Sequence, residues 1–205
     1  MLPGCRLAVV HDTRLVLAAA GVDAGVALVA GTGSVAYGRS PDGREAQRGG
    51  WGWMLGDDGS GVWITREAAR EVTARADDRR PPGALGDALL GACAASDARE
   101  LTSNLHAMRE PRQWAAAASA VFDTYDSDAA SRKIVGGAAD ALAKLVRGVR
   151  ESLGVEGPVV LAGGLMLNQP RLEAAVRERL TSQCVRLLEP PVEGALRLAE
   201  DLLGR

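Results

Sequence analysis

The sequence predicts an α/β protein in which a mixed β-sheet packs against helices. Two short apolar runs are typical of buried strands: residues 25–30 begin with glycine, residues 159–162 follow a Gly-Pro pair, and glycine follows each run. Long stretches of helix-forming residues separate these two runs. Strands followed by helices, and then by a strand–helix–strand return, fit one sheet with helices packed on it.

The elements can be predicted in chain order. Residues 6–10 form a short apolar run that predicts a strand, and residues 15–20 predict a short helix that ends at Gly21. Strands are predicted at 25–30, 35–39 and 44–48, with a turn at 40–43 joining the last two. Helices are predicted at 60–75, 84–94, 98–106, 111–122 and 129–153. The chain then returns as strand 159–162, helix 170–180, strand 185–188 and helix 192–203.

Composition excludes several classes of protein. Of the 205 residues, 47% are hydrophobic and 24% are charged, which is ordinary for a globular protein. The formal net charge of -2 gives no basic field for a nucleic-acid backbone. The apolar runs are too short to span a bilayer and the first residues lack a signal-peptide pattern, so we expect a cytoplasmic protein. Three widely spaced cysteines, Cys5, Cys93 and Cys184, form neither a disulfide framework nor a metal motif.

The chain is organised around residues 49–61, which contain six glycines, Trp51, Trp53 and the acids Asp57 and Asp58. Clustered glycine is costly, so we expect the chain here to turn tightly or to approach a ligand closely. The tryptophans could wall a pocket beside polar groups that orient a substrate. Alternatively, the stretch caps the next helix at Ser60 and both tryptophans lie in the core.

Three further features could bind a ligand. Asp12 follows the first predicted strand, at a position where open α/β sheets hold ligands, although an N-cap role is favoured by the residue type alone. Gly31-Thr32-Gly33-Ser34 offers backbone N–H groups and hydroxyls that can hold phosphate oxygens, or is a plain hairpin turn. Gly163-Gly164 lets a flat ring or a neighbouring backbone come close, or is a tight strand-to-helix turn.

Taken together and in order, these motifs resemble those of N-acetylglucosamine kinases in the BadF/BadG/BcrA/BcrD-type ATPases of the actin, hexokinase and heat-shock chaperone superfamily. The resemblance covers nearly the whole chain from Arg6 onward. It implies a kinase of two ribonuclease-H-like lobes, with ATP and a sugar bound in the cleft between them. The reaction that it implies is phosphorylation of the 6-hydroxyl of a hexosamine.

The resemblance also assigns roles to residues of this sequence. It makes Asp12 the catalytic base, places Gly31, Thr32, Gly33 and Ser34 at phosphate, and places Gly163 and Gly164 at adenosine. It assigns sugar contacts to Gly50, Trp51, Gly52 and Asp57. ATP, Mg²⁺ and the sugar are the expected cofactors and ligands, nucleic acid and membrane are not expected as partners, and a homodimer is left open.

One departure from the family pattern is marked. The family's amino-terminal lobe begins with an Asp-Gly-Gly-Gly-Thr type loop, which helps to position Mg²⁺ and has no counterpart in this sequence. Residues 1–21 are therefore expected to correspond to the end of that lobe, residues 22–190 to the carboxyl-terminal lobe, and residues 191–205 to a helix that returns to the first lobe. Two other functions stay in view: a non-catalytic nucleotide- or sugar-binding lobe, and an ATPase activator of a radical dehydratase. The cysteine spacing does not favour the activator.

Overall fold

One mixed sheet of five strands forms the centre of the protein. The structure, a computed structural model, describes residues 6–204. The strands are β1 (Gly25–Ala30), β2 (Ser34–Arg39), β3 (Glu45–Gly49), β4 (Val159–Ala162) and β5 (Cys184–Arg186), in the order β3-β2-β1-β4-β5. β1 pairs antiparallel with β2, and β2 with β3, while β1–β4 and β4–β5 are parallel. The predicted mixed sheet is confirmed.

Ten helices are assigned within the described residues, most of them between β3 and β4. They are α1 (Asp12–Ala19), α2 (Gly61–Asp77), α3 (Gly83–Ala92), α4 (Ala98–Ala107), α5 (Pro111–Ala117), α6 (Ser119–Asp123), α7 (Ala129–Leu153), α8 (Gly164–Asn168), α9 (Pro170–Arg179) and α10 (Pro191–Leu203). None of those within residues 6–204 has the length and apolar character needed to cross a membrane.

The alternation of side chains along the strands separates two cores. Val26 and Leu28 of β1 face the larger core, which is shared with α2, α7 and α9. Ala27 faces the opposite side, where it packs with Leu17 of α1 and Val160 of β4. Since successive side chains of a strand point to opposite faces, the sheet is covered by helices on both sides.

The long helix α7 forms the main support of the sheet. The side chain of Asp128 caps the amino-terminal end of this helix. The helix ends at Gly154, which adopts the left-handed conformation that favours glycine. At Gly38 of β2 a Cβ atom would overlap Val149 of α7, so glycine at this position lets the helix approach the strand closely. This helix and its bounds are confirmed as predicted.

The predicted strand at residues 6–10 is wrong. These residues form neither strand nor helix, and the side chains of Leu7 and Val9 are 76% and 90% exposed. A strand needs a partner for its backbone groups, and none of the five described strands pairs with this segment. Asp12 therefore begins α1 instead of ending a strand.

Other differences lie at boundaries. The predicted helix 111–122 is divided into α5 and α6 at buried Ala118, whose N–H donates to the carbonyl only three residues back. The short helix α8 was not predicted, because its five residues follow a glycine pair.

Cys93 is buried and Cys184 half-buried, and burial raises the pKa of both thiols. Residues 1–5, which include Cys5, and Arg205 lie outside the described residues, and the division at residues 21 and 190 stays a prediction.

Candidate functional site

The two glycine turns meet at one edge of the sheet. Gly31 follows β1 and Gly163 follows β4, and because these strands are parallel their carboxyl ends lie side by side. A Cβ atom on Gly31 would lie 3.8 Å from the nitrogen of Gly164, and one on Gly163 would overlap the Ala30 carbonyl oxygen. Gly163 also has a φ of 95°, which favours glycine. The turns at residues 31–34 and 163–164 therefore lie together at this edge of the sheet.

A cleft of about 450 Å³ opens over this junction. Its base contains Gly31 and Thr32, and its two walls are the α5–α6 segment and the α8 segment. The lining residues are Gly31, Thr32, Gly61, Arg112, Ala115, Ala116, Ala118, Ser119, Phe122, Gly164, Leu165, Asn168 and Gln169. Three of the predicted nucleotide residues, Gly31, Thr32 and Gly164, thus line one cleft, and the volume is within the usual range for a ligand site.

Hydrogen bonds fix the turn between β1 and β2. The N–H of Gly31 donates to the Gly33 carbonyl at 2.9 Å, and the N–H of Gly61 donates to the Gly31 carbonyl at 2.9 Å. The hydroxyl of Ser34 donates to the Asp58 carbonyl at 2.8 Å. Ser34 is therefore a buried structural residue of this turn, whereas Thr32 is exposed toward the cleft.

Asp57 lies directly against this turn. It is 9% exposed, has a φ of 58°, and its Oδ1 atom accepts a hydrogen bond of 3.3 Å from the N–H of Ser34. A Cβ atom on Gly33 would come within 2.7 Å of Asp57 Oδ2, so a larger residue there would displace the Asp57 carboxylate. The predicted sugar residue Asp57 and the predicted phosphate turn are thus in contact.

The glycine loop after β3 joins the same region. The N–H of Gly50 donates to the Ser34 carbonyl at 2.9 Å, and both Gly50 and Gly52 have positive φ. Trp51 is 80% exposed, so the reading that puts both tryptophans in the core is wrong for it. Trp53 is half-buried, and its ring lies 6.0 Å from that of Trp114. Neither Trp51 nor Trp53 lines the cleft over Gly31.

Within residues 6–204, Asp12 is not bonded to these residues. Its side chain is 87% exposed, and its carboxylate accepts from the N–H of Thr13 at 2.8 Å and lies 2.9 Å from Nδ1 of His11. The His11 ring stacks on Tyr37 of β2 with 5.9 Å between ring centroids. Burial and the neighbouring Glu45 raise the pKa of Tyr37 above its ordinary range, so this phenol stays neutral. Among the described residues Asp12 has no hydrogen bond or ion pair with the turn at Gly31 or with Asp57.

Sequence reasoning missed part of the cleft. Arg112 and Ser119 come from one wall and Asn168 and Gln169 from the other. The spacing 112, 115, 116 and 119 places those residues on one helical face, but a polar residue on an alanine-rich helix gives no signal of its own. Within residues 6–204, no three His, Cys, Asp or Glu side chains are grouped to hold a metal ion.

A mixed sheet of this order, with glycine turns at the ends of its central parallel strands, defines an actin-like ATPase fold. A glucokinase of the ROK family from Streptomyces griseus shares that fold at a TM-score of 0.57 and 12% identity, over 99% of this chain and 70% of its own. The chain itself belongs to the BadF/BadG/BcrA/BcrD ATPase family, whose model matches residues 6–196.

Two relatives with detectable sequence identity are named as sugar kinases. The chain is 29% identical over 170 residues to an N-acetylmuramic acid/N-acetylglucosamine kinase from Clostridium acetobutylicum, covering 80% of this chain and 55% of that protein. It is 28% identical to an N-acetyl-D-glucosamine kinase from Dictyostelium discoideum, covering 76% and 52%. A solved structure from Chromobacterium violaceum, described as a candidate N-acetylglucosamine kinase, has a TM-score of 0.75 and 27% identity over 92% of this chain and 64% of its own. The chain thus spans about half the length of the curated relatives it matches.

Proposed function

We propose that this chain is the nucleotide- and sugar-binding lobe of an ATP-dependent hexosamine kinase. The reaction transfers the γ-phosphoryl group of ATP to the 6-hydroxyl of an N-acetylglucosamine-type sugar. The single observation that carries the proposal is the cleft in which Gly31, Thr32 and Gly164 come together beside Asp57. Membership of an ATPase family and the kinase names of its relatives support the same reaction.

The cleft suits a nucleotide because backbone can approach a ligand there. Open space surrounds the missing side chain of Gly31, whose nearest neighbour would be 3.8 Å away, and Gly164 opens onto the same space. Phosphoryl transfer depends mainly on position and on donors around the phosphates, so free N–H groups and the Thr32 hydroxyl are appropriate here. Mg²⁺ would accompany ATP and take most of its ligands from phosphate oxygens and water.

The sugar would lie on the Asp57 side of the turn. One carboxylate oxygen of Asp57 accepts from the Ser34 N–H, and the other is available to accept from sugar hydroxyls. The loop of Gly50, Trp51 and Gly52 is bonded to the same strand end and presents an exposed aromatic ring. Aromatic faces and carboxylates are suitable contacts for a sugar ring.

Asp12 would act as the general base. It accepts the proton of the 6-hydroxyl while the oxygen of that hydroxyl forms a bond to the γ-phosphorus and the bond from phosphorus to the departing ADP oxygen breaks. Its exposed carboxylate is free to reach a ligand. The alternative is a non-catalytic lobe that only binds nucleotide or sugar. Among the described residues Asp12 has no hydrogen bond or ion pair with the other site residues, which favours that reading.

Substitution of Gly31 tests nucleotide binding. Gly31→Ala places a methyl group in the cleft without a clash inside the protein, so folding should be unchanged. We expect affinity for MgATP, measured by titration in the millimolar range with NMR detection, to fall by roughly 10- to 100-fold, as for overpacking of a fitted site. Gly91→Ala, on an open part of α3, is the matched control and should bind as the wild type does. Wild-type protein that binds no MgATP, or a Gly31→Ala variant that binds it normally, would refute the proposal.

A further inference from the structure

Arg112 stands in the wall of the cleft without a partner among the described residues. It lies on α5, its side chain is exposed, and it makes no hydrogen bond or ion pair with any residue in 6–204. None of the residues that line the cleft is acidic. A guanidinium that is always protonated therefore lines this space without an ion pair to any residue in 6–204.

The helix geometry places Arg112 near the phosphate turn. Ala115 follows Arg112 by three residues on the same helical face, which is about 4.5 Å along the axis. Ala115 packs against Gly61, where a Cβ atom would lie 2.9 Å from the Ala115 Cβ. The N–H of Gly61 in turn donates to the Gly31 carbonyl. Arg112 thus lies about one helical turn from Ala115, which contacts Gly61, and all three residues line the cleft together with Thr32.

We infer that Arg112 binds the phosphate chain of the nucleotide, an inference that rests on the proposed function. Its planar fork of donors matches phosphate oxygens two at a time, which a single hydroxyl or backbone N–H cannot do. The polyphosphate supplies the negative charge that the cleft lacks. Arg112 should therefore make the site prefer a nucleotide with several phosphates over a nucleoside.

The test compares three ligands on four proteins. Adenosine, MgADP and MgATP are titrated by NMR into the wild-type chain and into Arg112→Gln, Arg112→Lys and Arg109→Gln. Arg109 is the matched control, because it is exposed, close in sequence, free of bonds to described residues, and outside the cleft. Arg112→Gln should weaken MgATP by roughly 10- to 100-fold, the range for a lost charge-assisted hydrogen bond, and leave adenosine unchanged. Arg112→Lys should lose part of this affinity, and Arg109→Gln none.

The outcomes separate this inference from the proposed function. If the wild type binds MgATP but Arg112→Gln binds it equally well, or loses adenosine and MgATP equally, Arg112 is not a phosphate ligand and the proposed function stands. If the wild type binds none of the three ligands, the proposed function fails and this inference fails with it.

Discussion

Asp128 shows how one buried carboxylate can join two helices. It caps α7 through the N–H of Ala130 at 2.8 Å and also accepts from the N–H of Leu85 in α3 at 3.1 Å. Burial alone would raise the pKa of Asp128, but those N–H groups and nearby Arg75 outweigh it and lower the pKa below its ordinary value. The ionised form is therefore the one that the fold stabilises.

Asp128→Ala should destabilise the protein more than a change at an exposed cap. Asp97→Ala, at the start of α4, removes a comparable cap on the surface and should cost about 0.5–2 kcal/mol. Asp128→Ala also leaves the buried Leu85 N–H without its acceptor, which should cost about 1–3 kcal/mol more. Urea unfolding of the two variants at pH 7 measures the difference.

The contribution of Asp128 to the free energy of unfolding depends on pH with a definite sign. Because the folded pKa of Asp128 is lowered, its contribution is present in full above the unfolded value, about 3.9, and is lost as the pH falls through the folded pKa. The gap in unfolding free energy between wild type and Asp128→Ala should therefore narrow between pH 5 and pH 2 by the amount that ionisation contributes. A gap that stays constant over this range would contradict the assignment.

Among the elements, α1 and α10 form a pair that depends on one glycine. A Cβ atom on Gly194 of α10 would overlap the Leu15 carbonyl oxygen of α1, and Gly194 is the one buried residue assigned to α10. Arg197 donates to the carbonyls of Ala18 and Ala19 at 2.9 and 2.7 Å. Of this pair, α1 contributes side chains to the smaller core and α10 packs on α1, so the pair should open more easily than α7.

Gly194→Val should separate this pair without unfolding the larger core. We expect amide hydrogen exchange to become faster in residues 12–19 and to stay slow in α7, because the added side chain cannot fit against the Leu15 carbonyl. Ala199→Val is the control, since Ala199 is exposed on the same helix. Valine lowers helix propensity relative to alanine but not relative to glycine, so opening in Gly194→Val alone cannot come from helix propensity. Faster exchange in α7 as well would mean that the two cores open as one unit.

The sequence predicts correctly those strands and helices whose residue pattern and flanking residues both indicate the same element. β1, β4 and α7 have the predicted bounds, because apolar runs or helical spacing and flanking glycine or aspartate all agree. The strand expected at residues 6–10 was wrong, because pairing depends on a neighbouring strand that the run itself does not reveal. The division of the predicted helix 111–122 at Ala118 could not be predicted either, because it depends on how the rest of the protein packs around this buried residue.

At the scale of the whole molecule, the site combines segments that are far apart in the chain. Gly31, Arg112 and Gly164 line one cleft although at least 50 residues separate each from the next. The glycine turns could be predicted because each follows a recognisable strand. The position of Arg112 could not be predicted, since α5 reaches the cleft through the packing of Ala115 against Gly61, which the sequence does not reveal. Asp12 is the first residue of α1 and does not line the cleft, so its position depends on how α1 packs against α10.

That dependence leads to a prediction for catalysis. Within residues 6–204 Asp12 makes no hydrogen bond or ion pair with the other site residues, and the chain covers about half the length of its curated relatives. Transfer needs charge stabilisation around the γ-phosphate as well as a base, so we expect the chain alone to give little or no phosphorylation of N-acetylglucosamine with MgATP. The same chain, extended upstream with the amino-terminal portion of a kinase relative, should show activity.

In that extended protein, Asp12→Asn should lower kcat by roughly 10²- to 10⁴-fold, the usual effect of losing a general base, while the affinity for MgATP stays unchanged. Asp87→Asn, an exposed change on α3, is the control and should leave kcat as it was. A coupled assay for ADP release measures all four proteins. Full activity in the Asp12→Asn protein would show that another group takes the proton, and a high rate from the unextended chain would show that the donors within residues 6–204 suffice for transfer.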